Sequence, residues 1–162
     1  MPSSLAEAGQ SVGELLKARK QTIGVSESSA GGLINAALVA VPGASAYYLG
    51  GAVVYTGISR EKILSISKDE MRGIRSASEP YARLAARRIR ERLGATWGLA
   101  ETGASGPTGN RYGDAPGHAC IAVSGPLEAS LAIETGSPDR EANMKVFALR
   151  ALELLESCLR KS

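Results

Sequence analysis

Polar and apolar positions along this chain follow two alternating periods. Over residues 5–20, Leu5, Val12, Leu15 and Leu16 share one helical face, and Ser4 stands at the cap position. Residues 22–26 are short and β-branched at Thr22, Ile23 and Val25, which predicts a buried strand. An apolar helix follows over 32–41 and stops at Pro42-Gly43. Residues 46–56 predict a strand kinked or bulged at Gly50-Gly51. A short helix is expected over 59–66. A longer one spans 76–93, opened by Ser78-Glu79-Pro80 and closed by Gly94. Residues 97–102 predict a strand. The segments 118–124 and 129–135 predict a hairpin turning at Gly125-Pro126. The last helix covers 139–159, with Val146, Phe147, Leu149, Leu152 and Leu155 on its apolar side.

The element order is thus α-β-α-β-α-α-β-β-β-α, with five strands. Helices alternate with strands early and a hairpin comes late, which predicts a mixed sheet covered by helices on both faces. The chain has 162 residues, enough for a single domain over 1–162 with one core and no staple. No repeat or linker interrupts it.

Charge and cysteine content remove several classes of function. The net charge of +3 is too small to argue for nucleic acid. The basic run Arg83, Arg87, Arg88, Arg90 and Arg92 is expected on the solvent face of its helix. Cys120 and Cys158 lie far apart with no CxxC spacing, so two buried thiols are expected and no zinc site or other cofactor. Residues 1–13 lack a basic start followed by an apolar core, and no apolar stretch matches a membrane span. A cytoplasmic protein without nucleic-acid or membrane partners is the expectation.

Three loops carry candidate chemistry. Glu27-Ser28-Ser29-Ala30-Gly31-Gly32 joins a strand to a helix, where unpaired N–H groups and the dipole favour an anion or oxyanion. The same residues equally suit a structural turn with serine as N-cap. Residues 103–109 (GASGPTG) have the same character at another strand end, and ligands favour such crevices. Residues 55–62 (YTGISREK) gather a phenol, hydroxyls and charges, readable as a site or as a solvated helix start. No dinucleotide fingerprint, P-loop or nucleophile-elbow pattern occurs. The single histidine, His118, stands at the edge of a glycine-rich loop, where it could face solvent.

These loops resemble the CinA carboxy-terminal domain family, which includes stand-alone nicotinamide mononucleotide deamidases. Residues 27–32 resemble its E-S-C-T-G-G motif, and 42–47 its G-S-S-A-aromatic segment. Residues 51–55 resemble the strand ending in the family tyrosine, Ser78-Glu79-Pro80 the S-E-P helix start, and 103–107 its G-I-A-G-P. Gly117 begins the strand that resembles the one following its P-V-G-T. Six motifs in order cover essentially the whole chain. The resemblance implies a three-layer α/β/α sandwich with a mixed five-stranded sheet. It implies hydrolysis of nicotinamide mononucleotide to nicotinate mononucleotide and ammonia by a serine nucleophile and a lysine base, in a homodimer. Carried onto this sequence, it assigns catalysis to Ser28, Tyr55 and Arg60. It assigns substrate binding to Glu27, Ser29, Gly31, Gly32, Ser45, Thr56, Gly103, Ser105, Gly106 and Arg140.

The sequence also departs from the family pattern. Y-S-N-x-x-K reads Tyr55-Thr56-Gly57-Ile58-Ser59-Arg60, so the lysine is Arg60. A guanidinium stays protonated at neutral pH and serves to hold anions, not to accept a proton. Lys62 lies two positions on, off that helical face. The motif Cys-Thr is Ser29-Ala30. The later G-D-R-x-x-V-R keeps its first arginine as Arg140 and loses its second to Met144. The alternative to deamidation is therefore a catalytically impaired domain that binds a nucleotide-like ligand or serves in assembly.

Overall fold

The computed structural model describes residues 4–162. In chain order the elements are α1 (Leu5–Arg19), β1 (Ile23–Glu27), α2 (Leu33–Val39), a 3-10 turn (Ala44–Ala46), β2 (Tyr48–Val53), α3 (Gly57–Leu64), α4 (Glu79–Leu93), β3 (Trp97–Ala104), β4 (His118–Ser124), β5 (Ala129–Glu134) and α5 (Arg140–Lys161). Ser4, Ser78 and Asp139 cap their helices through side-chain oxygens, as such residues do where the first turn leaves N–H groups unpaired.

The strands form one sheet in the order β2-β1-β3-β4-β5. β1 is parallel to both β2 and β3, and β3-β4-β5 run antiparallel in turn. The expected mixed five-stranded sheet is therefore present. The Gly50-Gly51 irregularity is real: Ile23 pairs with Tyr48 and Gly24 with Gly50, so Leu49 is the extra residue in β2.

Two apolar layers cover the sheet. On one side α1, α2 and α5 pack around Trp97, Tyr47 and Phe147, all fully buried. Each such side chain contributes about 2–3 kcal/mol by burial. On the other side α4 packs on β3 and β4 through Tyr81, Ala82, Ala85, Ala86 and Ile89, with Leu64 and Ile66 beneath α3. Small residues on α4 let helix and sheet approach closely. Cys120 and Cys158 are buried free thiols, and burial pushes the Cys120 thiol up to about 12.

The arginines of α4 only partly match the solvent-face expectation. Arg83, Arg87 and Arg92 are exposed. Arg88 is half-buried and donates to the Leu64 and Ser65 carbonyls that end α3, while Arg90 donates to Thr96 O. They tie elements together. No described helix is long and apolar enough to cross a membrane.

Candidate active site

Because β1, β2 and β3 are parallel, their carboxyl ends open on one edge of the sheet, and β4 begins there, with His118 opposite Ala104. The β1–α2, β2–α3 and β3–β4 connections meet at this edge. Between them lies a cavity of about 250 Å³ lined by Ser28, Tyr55, Thr56, Arg60, Tyr112 and neighbouring backbone. A second, polar cavity of about 260 Å³ lies beside it, formed by Gly103, Ser105, Gly106, Thr108 and Arg140. Tyr55, Gly103 and Asn110 border both.

The motif loop after β1 is built around two buried carboxylates. Glu27 is fully buried and accepts from the backbone N–H groups of Gly32 (3.1 Å), Ile34 (3.0 Å) and Asn35 (2.8 Å), and from Asn35 Nδ2 (2.6 Å). Glu101, from β3, accepts from the N–H groups of Ser28 (3.0 Å) and Ala30 (2.8 Å) and from the Ser29 hydroxyl. Burial drives the Glu101 carboxyl up to about 7, against the pull of those hydrogen bonds.

This arrangement corrects the expected anion site. The donors at the start of α2 are already spent on Glu27, so a ligand anion has no seat there. Nor is serine the cap: Gly32 holds that position at φ 105° with no side-chain hydrogen bond, and the Glu27 carboxylate replaces one. Ser29 is buried and committed to Glu101. Glu27, Ser29, Gly31 and Gly32 border neither cavity. Gly31, at φ 68°, lies under Met144, and a Cβ there would stand 2.8 Å from Met144 Cε. Ser45 sits before β2, on the opposite edge of the sheet, and is exposed.

Ser28 differs from its neighbours. It is half-buried, faces the cavity, and no described residue hydrogen-bonds its hydroxyl. Arg60 donates from Nη1 to Ser76 Oγ (3.0 Å) and lies 5.3 Å from the Tyr81 ring centroid. Thr56 caps α3 in a capping box with Ser59. Lys62 does not border the cavity. Arg140 reaches across from α5, donating to Gly106 O (2.5 Å) and Tyr55 OH (3.0 Å). Ser105 borders the second cavity, but its hydroxyl donates to Ser29 O (3.0 Å).

Several residues at this edge escaped the motif analysis. His118 is buried, not solvent-facing: Nε2 meets Ala77 O at 2.8 Å and Nδ1 meets Glu134 at 2.6 Å. Burial opposes its charge, but the Ala77 carbonyl and the Glu134 and Asp114 carboxylates outweigh it and raise the His118 pKa. Ala77 lies at φ 56° and borders the Ser28 cavity, so His118 anchors part of the cavity wall. Buried Asn143 donates to Ser105 O and Ser137 O and fixes the glycine-rich loop. Tyr112 lines the cavity from the tip of that loop. The aromatic residue inside GASGPTGNRYGDAPG was the available signal for it.

A three-layer α/β/α domain, with a free serine hydroxyl and an arginine facing one cavity at parallel strand ends, defines the class. The chain belongs to the CinA C-terminal domain family, whose model matches residues 5–159. It is 41% identical over 113 residues to a CinA-like protein of Prochlorococcus marinus, covering 70% of this chain and 26% of that one. It is 35% identical over 142 residues to a CinA-like protein of Salinibacter ruber, covering 88% and 34%. The chain thus spans about a third or less of these relatives' length. Among solved structures, a competence-damaged protein (CinA) superfamily protein from Klebsiella pneumoniae superposes with a TM-score of 0.92 at 23% identity, over 99% of this chain and 100% of that one. One from Escherichia coli gives 0.89 at 25%, over 97% and 93%. The first likeness, at its identity, speaks for the fold.

Proposed function

We propose that the chain hydrolyses the carboxamide of a nicotinamide mononucleotide-like substrate, giving the acid and ammonia, with Ser28 as nucleophile. The observation that carries this reading is the Ser28 hydroxyl: it has no hydrogen-bond partner among the described residues and faces a cavity that also holds the Arg60 guanidinium. The nucleophile's backbone is held rigid by Glu101, so little reorganisation is needed on attack. Ser28 Oγ bonds to the amide carbon, and the carbonyl π electrons move to oxygen. The free N–H groups of Arg60 stabilise that oxyanion, the role the α2 start cannot fill.

The adjoining cavity suits the phosphate end of the substrate. It is polar, backed by a glycine-rich loop, and carries Arg140. Tyr55 borders both cavities, which suits a place beside the ribose. The site would act in the cytoplasm without a cofactor. A homodimer belongs to the same proposal, and the exposed Leu49 and Val53 of edge strand β2 support it. One observation favours a second reading, ligand binding without turnover: the guanidinium of Arg60 stands where the resemblance calls for an amine base.

The test is ammonia release from nicotinamide mononucleotide by the parent, Ser28→Ala and Arg60→Lys. Turnover lost in Ser28→Ala supports hydrolysis. Saturable binding with no ammonia from the parent, and turnover gained by Arg60→Lys, establishes the second reading instead.

A further inference from the structure

The cavity that holds Ser28 contains no lysine, histidine or carboxylate among its lining residues. Its ionisable groups are Tyr55, Arg60, Tyr81 and Tyr112. A serine nucleophile needs a group that takes its proton. Arg60 stays a cation. Tyr81 is buried and desolvation raises its pKa, so it keeps its proton. Tyr55 accepts from Arg140 at 3.0 Å and borders both cavities, and the proposed function sets it beside the ribose rather than the amide. Tyr112 remains.

The surroundings of Tyr112 are built from several elements. Arg111 donates to its oxygen at 3.0 Å and stacks 5.1 Å from the ring centroid. Arg75, on the segment before α4, lies 5.2 Å from the same centroid. Asn110 Oδ1 accepts from the N–H groups of Tyr112 (3.0 Å) and Asp114 (3.2 Å), which fixes the loop tip. Asp114 forms a two-pronged pair with Arg75, at 2.7 and 3.1 Å, so the tip is docked against the cavity wall.

We propose that Tyr112, which lines the Ser28 cavity with Arg75 and Arg111 against its ring, is the proton acceptor that activates Ser28. This rests on the reading of Ser28 as a nucleophile and does not depend on which amide is cleaved. Hydrogen bonds from Arg111 and Ser76 outweigh burial and, with the charges of Arg111 and Arg60, hold the phenol below the ordinary tyrosine range. The one carboxylate close by, Asp114, is neutralised by Arg75.

The proton balance is complete within this set. The Tyr112 phenolate takes the Ser28 proton, directly or through one water, as Oγ bonds to the carbonyl carbon. On collapse of the tetrahedral adduct the C–N bond breaks and the Tyr112 proton goes to the leaving nitrogen, releasing ammonia. Water then attacks the acyl ester, its proton passes to the phenolate, and the acid leaves as the proton returns to Ser28. The sum is amide plus water to acid plus ammonia.

The experiment compares parent, Ser28→Ala and Tyr112→Phe. The phenylalanine keeps the ring that both arginines contact, and circular dichroism checks the fold. The first readout is the rate at which a fluorophosphonate labels Ser28 as a function of pH, which needs no knowledge of the substrate. The second is ammonia release from nicotinamide mononucleotide. Labelling of Ser28 in the parent that rises through one ionisation, and falls by about 100-fold or more in Tyr112→Phe with loss of that ionisation, supports the proposal. A parent silent on the mononucleotide but labelled in this Tyr112-dependent way sinks the substrate reading and leaves Tyr112 in place. Labelling unchanged in rate and pH profile by Tyr112→Phe, or no labelling of Ser28 in the parent, overturns the proposal.

Discussion

Glu101 lies directly behind Ser28: its Oε1 accepts the Ser28 N–H at 3.0 Å and the Ala30 N–H at 2.8 Å, while Oε2 takes the Ser29 hydroxyl. A buried carboxyl thus grips the turn that presents Ser28 to the cavity. The consequence open to measurement is one of stability.

The Glu101 carboxyl, driven by burial to about 7 in the folded chain, starts from 4.5 when exposed. The folded state therefore holds this proton more tightly. Its contribution to stability is full below about pH 4.5, declines as pH rises, and is lost above about 7. A displacement of that size corresponds to about 3 kcal/mol. The parent should lose melting temperature relative to Glu101→Gln between pH 5 and pH 8, by on the order of 10 °C. Parallel melting curves for the two proteins across that range would remove the argument.

Glu27 caps α2 from within β1. Glu27→Ala leaves the buried N–H of Ile34 and the half-buried N–H groups of Gly32 and Asn35 without their acceptor. The expected loss is at least about 3 kcal/mol in denaturant unfolding. Glu27→Gln keeps one acceptor oxygen and should lose clearly less. Equal losses would show that the void, not the unpaired donors, sets the cost.

His118 is the chain's one histidine, so its ring protons can be followed alone by NMR. Its titration midpoint should lie above the ordinary 6.5 and fall toward it in Glu134→Gln. The stabilisation from the charged ring is full below 6.5 and lost as pH rises through the raised midpoint. A midpoint at or below 6.5 in the parent contradicts the assigned pairing.

Arg140 joins Tyr55 to Gly106 across the second cavity. Under the phosphate assignment, Arg140→Ala should raise KM for the mononucleotide by about 10-fold or more while kcat changes less. A fall confined to kcat would place Arg140 with the chemistry instead.

Much of the frame could be read from local pattern. Ser4, Ser78 and Gly94 bound their helices as expected, and Gly50-Gly51 marked the bulge. What escaped was set by contacts distant in sequence. Nothing beside Glu101 announces that it will meet Ser28, 73 positions away, or that Ser105 will donate to Ser29. The resemblance named Ser28, Tyr55, Thr56, Arg60 and Gly103, which share one cavity. It also named Glu27, Ser29, Gly31 and Gly32, whose place is inside the turn. A motif groups cavity-facing and scaffold residues alike, because they are neighbours along one turn. Tyr112 carries no motif at all. Its meaning depends on three arginines supplied by separate segments.

The inward-turned carboxylates have a consequence for how this surface can change. Because Glu27 and Glu101 satisfy the β1–α2 turn from inside, the backbone posture of Ser28 is set within the fold. Among the described residues of 103–117, only Ser105 hydrogen-bonds that turn, through Ser29 O, so positions other than Ser105 and Tyr112 can be exchanged with little effect on how the serine is held. The attacking atom and the residues that meet the rest of the ligand thus sit on separate pieces of backbone, so a library confined to that loop with Ser105 and Tyr112 kept should alter which amides are accepted while every active member keeps Ser28 as the attacking atom.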